Sequence, residues 1–285
     1  MAKSAWVGEP ETLLRVGPGF RLADVDTSAT PGFSGDKRQA ESELEHNHAE
    51  LGDLQERLYA ESKFGGTRKV LLILQAMDTA GKGGIIRHVV GGVDPQGVKI
   101  HAFKAPTDEE KQHDFLWRVR RQLPPAGSIG VFDRSHYEDV LIHRAQQLTP
   151  LDEIELRYGL IAEFENQLVA ADTSLIKVML HISAEEQKQR LQERLDRPDK
   201  HWKYNPGDLD QRAKWPEYME AYQLALTRTS TDDAPWFVVP ADHKWYARVA
   251  VQRLLLGTLR QLDPQWPAAD YDVEAEKRRL QSSNH

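Results

Sequence analysis

A glycine-rich segment contains the residues in this sequence that are best suited to chemistry. It reads Gln75-Ala-Met-Asp-Thr-Ala-Gly-Lys-Gly-Gly84 and lies between an apolar run and the helical pattern Ile85 to Val90. Glycines let successive backbone amides point at one anion, a helix N-terminus adds partial positive charge, and a lysine can reach a transferred phosphoryl group. The segment therefore predicts a phosphate-binding loop whose contacts come from Ala80, Gly81, Lys82, Gly83 and Gly84.

This loop departs from the pattern G-x-x-x-x-G-K-[ST] at two positions. Ala76 stands where the first glycine belongs, and Gly83 replaces the hydroxyl residue that normally holds magnesium. Asp78 lies inside the loop, where its carboxylate would repel phosphate unless a cation lay between them. We therefore expect Asp78 to bind Mg²⁺, with Mn²⁺ as a substitute. The alternative is a glycine-rich strand-to-helix turn that binds nothing.

A second acidic residue follows another apolar strand pattern, Ile129 to Phe132. Asp133 then has the position of the second magnesium-holding acid of P-loop enzymes. Ligands bind at the carboxyl ends of parallel strands, so we expect Asp133 to face Asp78. Arg134 is placed to bind phosphate oxygens bidentately. Its alternative role is a structural ion pair with Asp133 or Glu138.

A basic stripe follows the helix start at Ser183. Arg190, Arg194 and Arg197 are spaced i, i+4 and i+7 and so share one helical face. Residues 187–203 hold six Lys or Arg and three Asp or Glu. Such a stripe is either solvated surface or a mobile basic helix that closes over phosphates and excludes water. We favour the second interpretation and predict a lid at about 183–214.

Short apolar runs with helical patterns between them must position these residues. Three of the runs lack polar alternation, which is typical of strands buried on both faces of a parallel sheet. Right-handed crossovers then predict an α/β fold, a P-loop kinase-like, doubly wound parallel sheet of about five strands with flanking helices and a helical lid. The predicted strands are Val70–Leu74, Val98–Phe103, Ile129–Phe132, Leu175–Ile182 and Trp236–Val239.

The sequence also predicts a further helix, two helix caps and the bounds of the domain. Leucines at every seventh position predict a helix from Asp36 to Lys63. Capping boxes are expected where Thr107 precedes Glu110 and where Ser183 precedes Glu186. We predict an irregular arm at 1–35, a single P-loop kinase domain at 36–262 and a polar tail at 263–285.

Composition excludes several classes of protein. The chain has 285 residues with 37 Lys and Arg against 44 Asp and Glu, a net charge of −7, which excludes a globally basic nucleic-acid coat protein. It has no cysteine, so disulfides and cysteine-based metal sites are excluded. No apolar run approaches the roughly 20 residues of a membrane span. These features predict a cytoplasmic protein without a membrane partner.

Several ordered blocks together resemble the family-2 polyphosphate kinases, from about Leu13 to Asp272. The blocks are Asp-Thr-Ala-Gly-Lys-Gly-Gly (78–84), Phe-Lys-Ala-Pro-Thr (103–107), Asp-Phe-Leu-Trp-Arg (114–118), Phe-Asp-Arg-Ser-His-Tyr-Glu-Asp-Val (132–140) and Trp-Lys-Tyr-Asn-Pro-Gly-Asp-Leu (202–209). The resemblance implies a magnesium-dependent transfer of the terminal phosphoryl of inorganic polyphosphate to ADP, which makes ATP reversibly, with AMP and GDP as further acceptors. It also implies a homodimer or homotetramer.

The same resemblance implies roles for individual residues. Asp78 and Asp133 correspond to the catalytic and magnesium-binding acids, Lys82 and Arg134 to the phosphate-binding cations, and Arg194 to the lid arginine. Polyphosphate would then lie along Lys82, Arg87, Arg134 and the basic stripe of Arg190, Arg194 and Arg197. Glu138 and Asp139 are expected on the acceptor side.

Two other functions remain open from the residues alone. The first is an ATP-dependent nucleoside or nucleotide kinase of the same fold, against which the missing Ser or Thr after Lys82 argues. The second is a non-enzymatic nucleotide- or nucleic-acid-binding protein that uses the arginine stripe as a phosphate track. The net negative charge and the acids beside the loop favour chemistry, so no nucleic-acid partner is expected. For the subunit interface, the helix Asp36–Lys63 and the apolar face Val249–Leu256 are the candidates.

Overall fold

A computed structural model describes residues 5–283 and has an α/β architecture. Five parallel strands form one sheet in the order β2-β3-β1-β4-β5, which confirms the predicted fold. The strands are β1 (Lys69–Ala76), β2 (Val98–Ala102), β3 (Ile129–Asp133), β4 (Thr173–His181) and β5 (Trp236–Pro240). Each lies within two residues of its predicted bounds at either end.

The central strand places the two acidic segments side by side. Residues 70–76 of β1 are all buried, as expected for a strand covered on both faces. In the register of the sheet, Leu74 of β1 pairs with Asp133 at the end of β3. The segments that follow β1 and β3 therefore leave the same edge of the sheet as neighbours.

Helices cover both faces of the sheet. One apolar core joins α2, α3 and α10 to the sheet, and a second joins α5, α6 and α9 to its other face. The helices are α1 (Pro10–Leu13), α2 (Lys37–Ser62), α3 (Lys82–His88), α4 (Trp117–Arg120), α5 (Glu138–Ala145), α6 (Leu151–Ala170), α7 (Ala184–Asp196), α8 (Gly207–Ala213), α9 (Trp215–Thr229), α10 (Lys244–Leu262) and α11 (Val273–Ser282). No helix in residues 5–283 is long and apolar enough to cross a membrane.

The predicted capping boxes differ in outcome. Thr107 and Glu110 exchange both expected hydrogen bonds, although only a three-residue 3-10 helix follows. At Ser183 only half of the box forms, because Ser183 Oγ accepts from Glu186 N at 3.0 Å while the Glu186 carboxylate accepts from Arg190 Nε at 2.6 Å. The backbone amide of Ser183 donates to Asp242 instead. The helix start is correct, and its partner comes from the end of β5 rather than from α7.

The arm and the two predicted interface faces pack against other parts of the same chain. The described part of the arm is mainly irregular, yet Val16 N donates to Trp236 O and Val238 N donates to Leu14 O, so the arm lies along the edge of β5. The predicted interface at Val249–Leu256 is wrong, because its apolar side chains are buried within the chain's own core. Helix α2 buries its leucines in that same core and packs on α10, so its apolar face is not free either.

Candidate active site

The glycine-rich loop occupies the turn between β1 and α3. Gly81 has φ of +119°, a conformation that a residue with a Cβ rarely adopts. Its carbonyl accepts from the amides of Gly84 and Ile85, which starts the helix at Lys82. Thr79 also lies in the left-handed region, at φ +67°. The turn is therefore held in a sparsely populated backbone conformation, which is frequent at functional sites.

The two predicted acids meet two cations at the ends of β1 and β3. Arg134 Nη2 donates to Asp78 Oδ1 at 2.9 Å. Lys82 Nζ lies 3.9 Å from Asp133 Oδ1 and donates to Ala76 O at 3.3 Å. The structure thus brings together four of the groups that the sequence singled out. The ion-pair alternative for Arg134 also holds, but with Asp78 rather than with Asp133 or Glu138.

Arg134 keeps its charge in spite of its surroundings. Burial opposes the charged guanidinium, but the nearby Glu138, Asp78 and Asp133 outweigh that cost and raise the pKa of Arg134 above its usual range. Its backbone lies at φ +65° and its amide donates to Leu74 O. Arg134 is therefore charged at every working pH.

One oxygen of this cluster suits a metal ion. Asp78 Oδ2 is buried and has no hydrogen-bond partner among the described residues. No group of three or more His, Cys, Asp or Glu in residues 5–283 is arranged to hold a metal by itself. Mg²⁺ commonly takes one or two carboxylates and completes its shell with substrate phosphates and water. Asp78 and Asp133 fit a cation that binds together with a phosphate substrate.

A cavity of about 680 Å³ opens around this cluster and is strongly cationic. All the predicted catalytic and phosphate-binding residues line it. Its lining includes eleven Lys or Arg and only four carboxylates, on a chain whose net charge is negative. The eleven cations are Lys82, Arg87, Lys104, Arg134, Arg190, Arg194, Arg197, Lys200, Lys203, Lys244 and Arg248.

The arginines of the predicted lid line the cavity together, but their contacts differ. Arg190 is 3% exposed, and its five N–H groups meet Glu186 and the carbonyls of Thr79, Ala80, Ala241 and Asp242. Its guanidinium is therefore fully occupied in holding the loop against α7. Arg194 pairs with Asp208 at 3.3 Å and donates to Lys203 O. Arg194 can therefore exchange its partner for a phosphate oxygen, whereas every N–H group of Arg190 is already used within the chain.

Glu138 and Asp139 lie outside the lining of the cavity. Glu138 sits behind Arg134, and burial raises the pKa of its carboxyl while Arg134 and Lys82 lower it. With its amide oxygen turned to Ser135, Gln75 donates to Glu138 Oε1 at 2.9 Å. Glu138 therefore acts on Arg134 through its charge, which favours the charged guanidinium.

Asp139 belongs to a separate buried cluster. Its carboxylate lies 3.6 Å from Arg118 and from His143 and 3.7 Å from Arg157. Burial raises its pKa, and the three neighbours oppose that shift. Since it is 5% exposed and absent from the cavity lining, the geometry gives no support to Asp139 as an acceptor-side group.

The sequence analysis did not single out several charged lining residues, among them Asp208, Arg248 and Lys104. Asp208 is 6% exposed, and burial together with Asp78 raises its pKa to about 6. Its only signal was its place in the block at 202–209. Arg248 reaches the loop from α10, where a Cβ built on Gly84 would lie 3.6 Å from its Nη2. Lys104 follows β2. Arg248 and Lys104 have no ion-pair partner in residues 5–283, and neither has Arg87.

Comparisons with known proteins agree with this geometry. The sequence model of the family described as Polyphosphate kinase 2 (PPK2) matches residues 34–267. A Meiothermus ruber protein named AMP/ADP-polyphosphate phosphotransferase is 47% identical over 87% of this chain and 91% of its own length. A Rhodopseudomonas palustris protein named ADP-polyphosphate phosphotransferase is 42% identical over 89% of this chain and 91% of its own length.

A solved structure is similar throughout. The crystal structure of Polyphosphate Kinase 2 from Arthrobacter aurescens TC1 covers 98% of both chains, with 57% identity and a TM-score of 0.96. The family match spans more than half of the chain, and the fold agrees along nearly its whole length. The resemblance stated from the motifs is therefore confirmed: this chain belongs to the polyphosphate kinase 2 family.

Proposed function

We propose that this chain transfers the terminal phosphoryl group of inorganic polyphosphate to ADP, and also to AMP, in a reversible reaction that makes ATP from ADP. The observation that supports this most is the cavity of eleven cations and four carboxylates around the phosphate-binding loop. The names of the Meiothermus and Rhodopseudomonas relatives agree with these acceptors. Use of GDP stays a prediction.

The donor side of the cavity suits a polyanion better than a nucleoside triphosphate. Arg87 and Arg248 lie beside the loop without ion-pair partners in the described chain, and Lys244 lines the same wall. An ATP-dependent kinase needs a mainly apolar slot for the donor base, whereas a phosphate chain needs repeated positive charge. This wall therefore favours polyphosphate as the donor.

The reaction needs positioning rather than a strong base. A terminal phosphate oxygen of the acceptor attacks the end phosphorus of polyphosphate, the bridging P–O bond breaks, and the shortened chain leaves as an oxyanion. Lys82 and Arg134 hold the phosphates in line, and Arg194 exchanges Asp208 for a phosphate oxygen when the lid closes. Asp133 orients the acceptor, whose oxygen is already ionised at neutral pH. No covalent enzyme intermediate is required.

The two acids would also hold the metal. Asp78 and Asp133 would bind Mg²⁺, which when present neutralises charge on the reacting phosphates. Mn²⁺ offers the same coordination chemistry. The buried, unpartnered Asp78 Oδ2 supports this assignment. A homodimer or homotetramer and a cytoplasmic location stay predictions.

Product analysis tests the proposal. Purified protein is mixed with Mg²⁺, long-chain polyphosphate and either ADP or AMP, without ATP, and nucleotides are separated by chromatography. We expect ATP from ADP, and ADP followed by ATP from AMP. A parallel reaction offers ATP and AMP without polyphosphate. Product in that reaction, with none from polyphosphate, would contradict the proposal and favour an ATP-dependent kinase.

A further inference from the structure

A second cavity lies at the base of the lid, away from the cationic one. It has a volume of about 590 Å³. Leu22, Ile182, Trp215 and Met219 form much of its wall, and no residue is shared with the active-site cavity. We call it the lid-base cavity. Its size falls in the range of small-molecule sites, which are mostly apolar with a few polar groups.

One buried polar side chain in this cavity lacks a partner. His181 ends β4 and is 8% exposed, and its ring makes no hydrogen bond with any described residue. Burial lowers the pKa of His181 to about 4, with Asp242 only partly opposing the shift, so its imidazole is neutral at pH 7. Its ring nitrogens are not sealed from the cavity, so a bound ligand can supply a hydrogen bond that the chain does not.

The other polar groups of the cavity are already satisfied. Gln223 accepts from Leu22 N and donates to Phe20 O. Thr27 donates to Asp242, and Glu220 accepts from Arg144. The charged residues of the lining, Arg21 and Glu220, have mostly exposed side chains and are paired with Asp24 and Arg144, so the interior of the cavity carries no charge. An uncharged molecule would therefore bury apolar surface there and bond to the imidazole.

We propose that the lid-base cavity binds a small, uncharged heteroaromatic molecule of about purine size. Its flat faces pack among Trp215, Met219 and Leu22, and a ring nitrogen or amino group bonds to His181. Both ends of the lid line the cavity, since Ser183 and Ala184 start α7 and Trp215 directly follows the lid. Occupancy holds the two lid ends in their present arrangement, so binding here is coupled to polyphosphate binding under the lid.

Fluorine NMR on the full chain labelled with 5-fluorotryptophan tests the site. Adenosine is the probe because it is uncharged and heteroaromatic, and saturating ADP without polyphosphate keeps it out of the nucleotide site. The Trp215 resonance, assigned with Trp215→Phe, should shift saturably with a Kd of about 1 mM or below. A Trp215 resonance that does not move up to about 10 mM adenosine would overturn the proposal.

Variants separate this site from non-specific binding. His181→Phe keeps an aromatic ring at this position but removes the ring nitrogens, and should weaken adenosine binding by about tenfold. Ala23→Leu adds bulk at the exposed rim and should weaken it as well, which keeps the test available if His181→Phe misfolds. His46→Phe, on the exposed side of α2, is the control and should bind as the wild type does. Equal affinity in the wild type, His181→Phe and Ala23→Leu would refute the site, and a polyphosphate Kd unchanged by adenosine would refute the coupling.

Discussion

Two clusters of charge lie close together in this molecule and have opposite character. In the active-site cavity, cations outnumber carboxylates and several have no partner in the described chain. Behind it, the fully buried Lys177 donates to Glu165 at 2.5 Å, to Thr229 O at 2.7 Å and to Tyr137 Oη at 3.2 Å. Tyr137 also donates to Glu165. Each charge of this buried cluster is matched, and each donor of Lys177 is used.

The difference teaches that charge balance, rather than charge content, distinguishes a binding site from a structural cluster. A balanced, dry ion pair has nothing left to offer a ligand, and breaking it leaves an uncompensated charge. In the active-site cavity, the excess positive charge is neutralised only when an anion binds. One segment serves both, because Asp133 and Arg134 line the cavity and Tyr137 lies in the buried cluster. The buried cluster therefore acts as the support on which the reactive turn is built.

The largest effect is expected inside the cavity. Lys82→Ala and Asp133→Asn should each lower kcat for ATP formation from polyphosphate and ADP by about 10³-fold, because both groups act on the transferring phosphoryl. Lys188→Ala is the matched control, an exposed lysine on α7 outside the cavity. Initial rates with unchanged thermal unfolding would check this. Rates within a few-fold of the wild type would remove these residues from the chemistry.

Breaking the buried cluster should lower the stability of the fold rather than its activity. Glu165→Gln leaves Lys177 charged and unpaired, so the free energy of unfolding should fall by about 3 to 5 kcal/mol. Urea unfolding measures the loss, and kcat of the folded fraction should stay at the wild-type value. Glu163→Gln changes an exposed residue of the same helix and should be neutral. If Glu165→Gln lost kcat but kept its stability, the comparison would be reversed.

Removing one cation from the cavity wall beside the phosphate-binding loop should have a smaller effect on activity. Arg248→Gln should raise KM for polyphosphate by about tenfold and leave kcat nearly unchanged, because the lost charge acts in binding at the loop. The variant should also be less sensitive to added salt. Arg253→Gln, on the same helix but paired with Glu9, serves as the control. An unchanged KM would place the polyphosphate chain elsewhere.

The smallest expected effect is a pH dependence of stability. Asp208 has a pKa of about 6 in the folded chain against 3.8 as its ordinary value, so the folded state binds its proton more tightly. Between pH 7 and pH 4 this group therefore adds stability as the pH falls. In Asp208→Asn that gain should be absent, so the Tm difference between wild type and variant should move in favour of the wild type on acidification. Parallel Tm profiles would contradict the assignment.

Much of this fold was predictable because local signals determine it. Buried strands are continuous apolar runs, and the order of strand, glycine-rich loop and helix places Asp78 and Lys82 without further information. Asp133 followed because parallel strands end at one edge of the sheet. These features depend on short segments whose structure is determined by their own residues, without contacts from distant parts of the chain.

The features that the sequence did not predict depend on contacts with residues far away in the chain. Arg190 is turned inward by carbonyls from the loop and from the end of β5, which no spacing within α7 reveals. The apolar face of α10 is covered by α2, so a face that predicted an interface is core. Arg248 is one cation within an apolar helix pattern, and only the packing of α10 beside α3 gives it a role.

Donor choice tests the central claim most directly, because it depends on the unbalanced charge of the cavity. ADP is offered with Mg²⁺ and either long-chain polyphosphate or GTP as the only donor, and the initial rate of ATP formation is measured for each. Polyphosphate should support turnover, and GTP should support little or none, since the donor wall is built of cations. Equal or faster ATP formation from GTP would contradict the account and identify a nucleoside-triphosphate-dependent kinase.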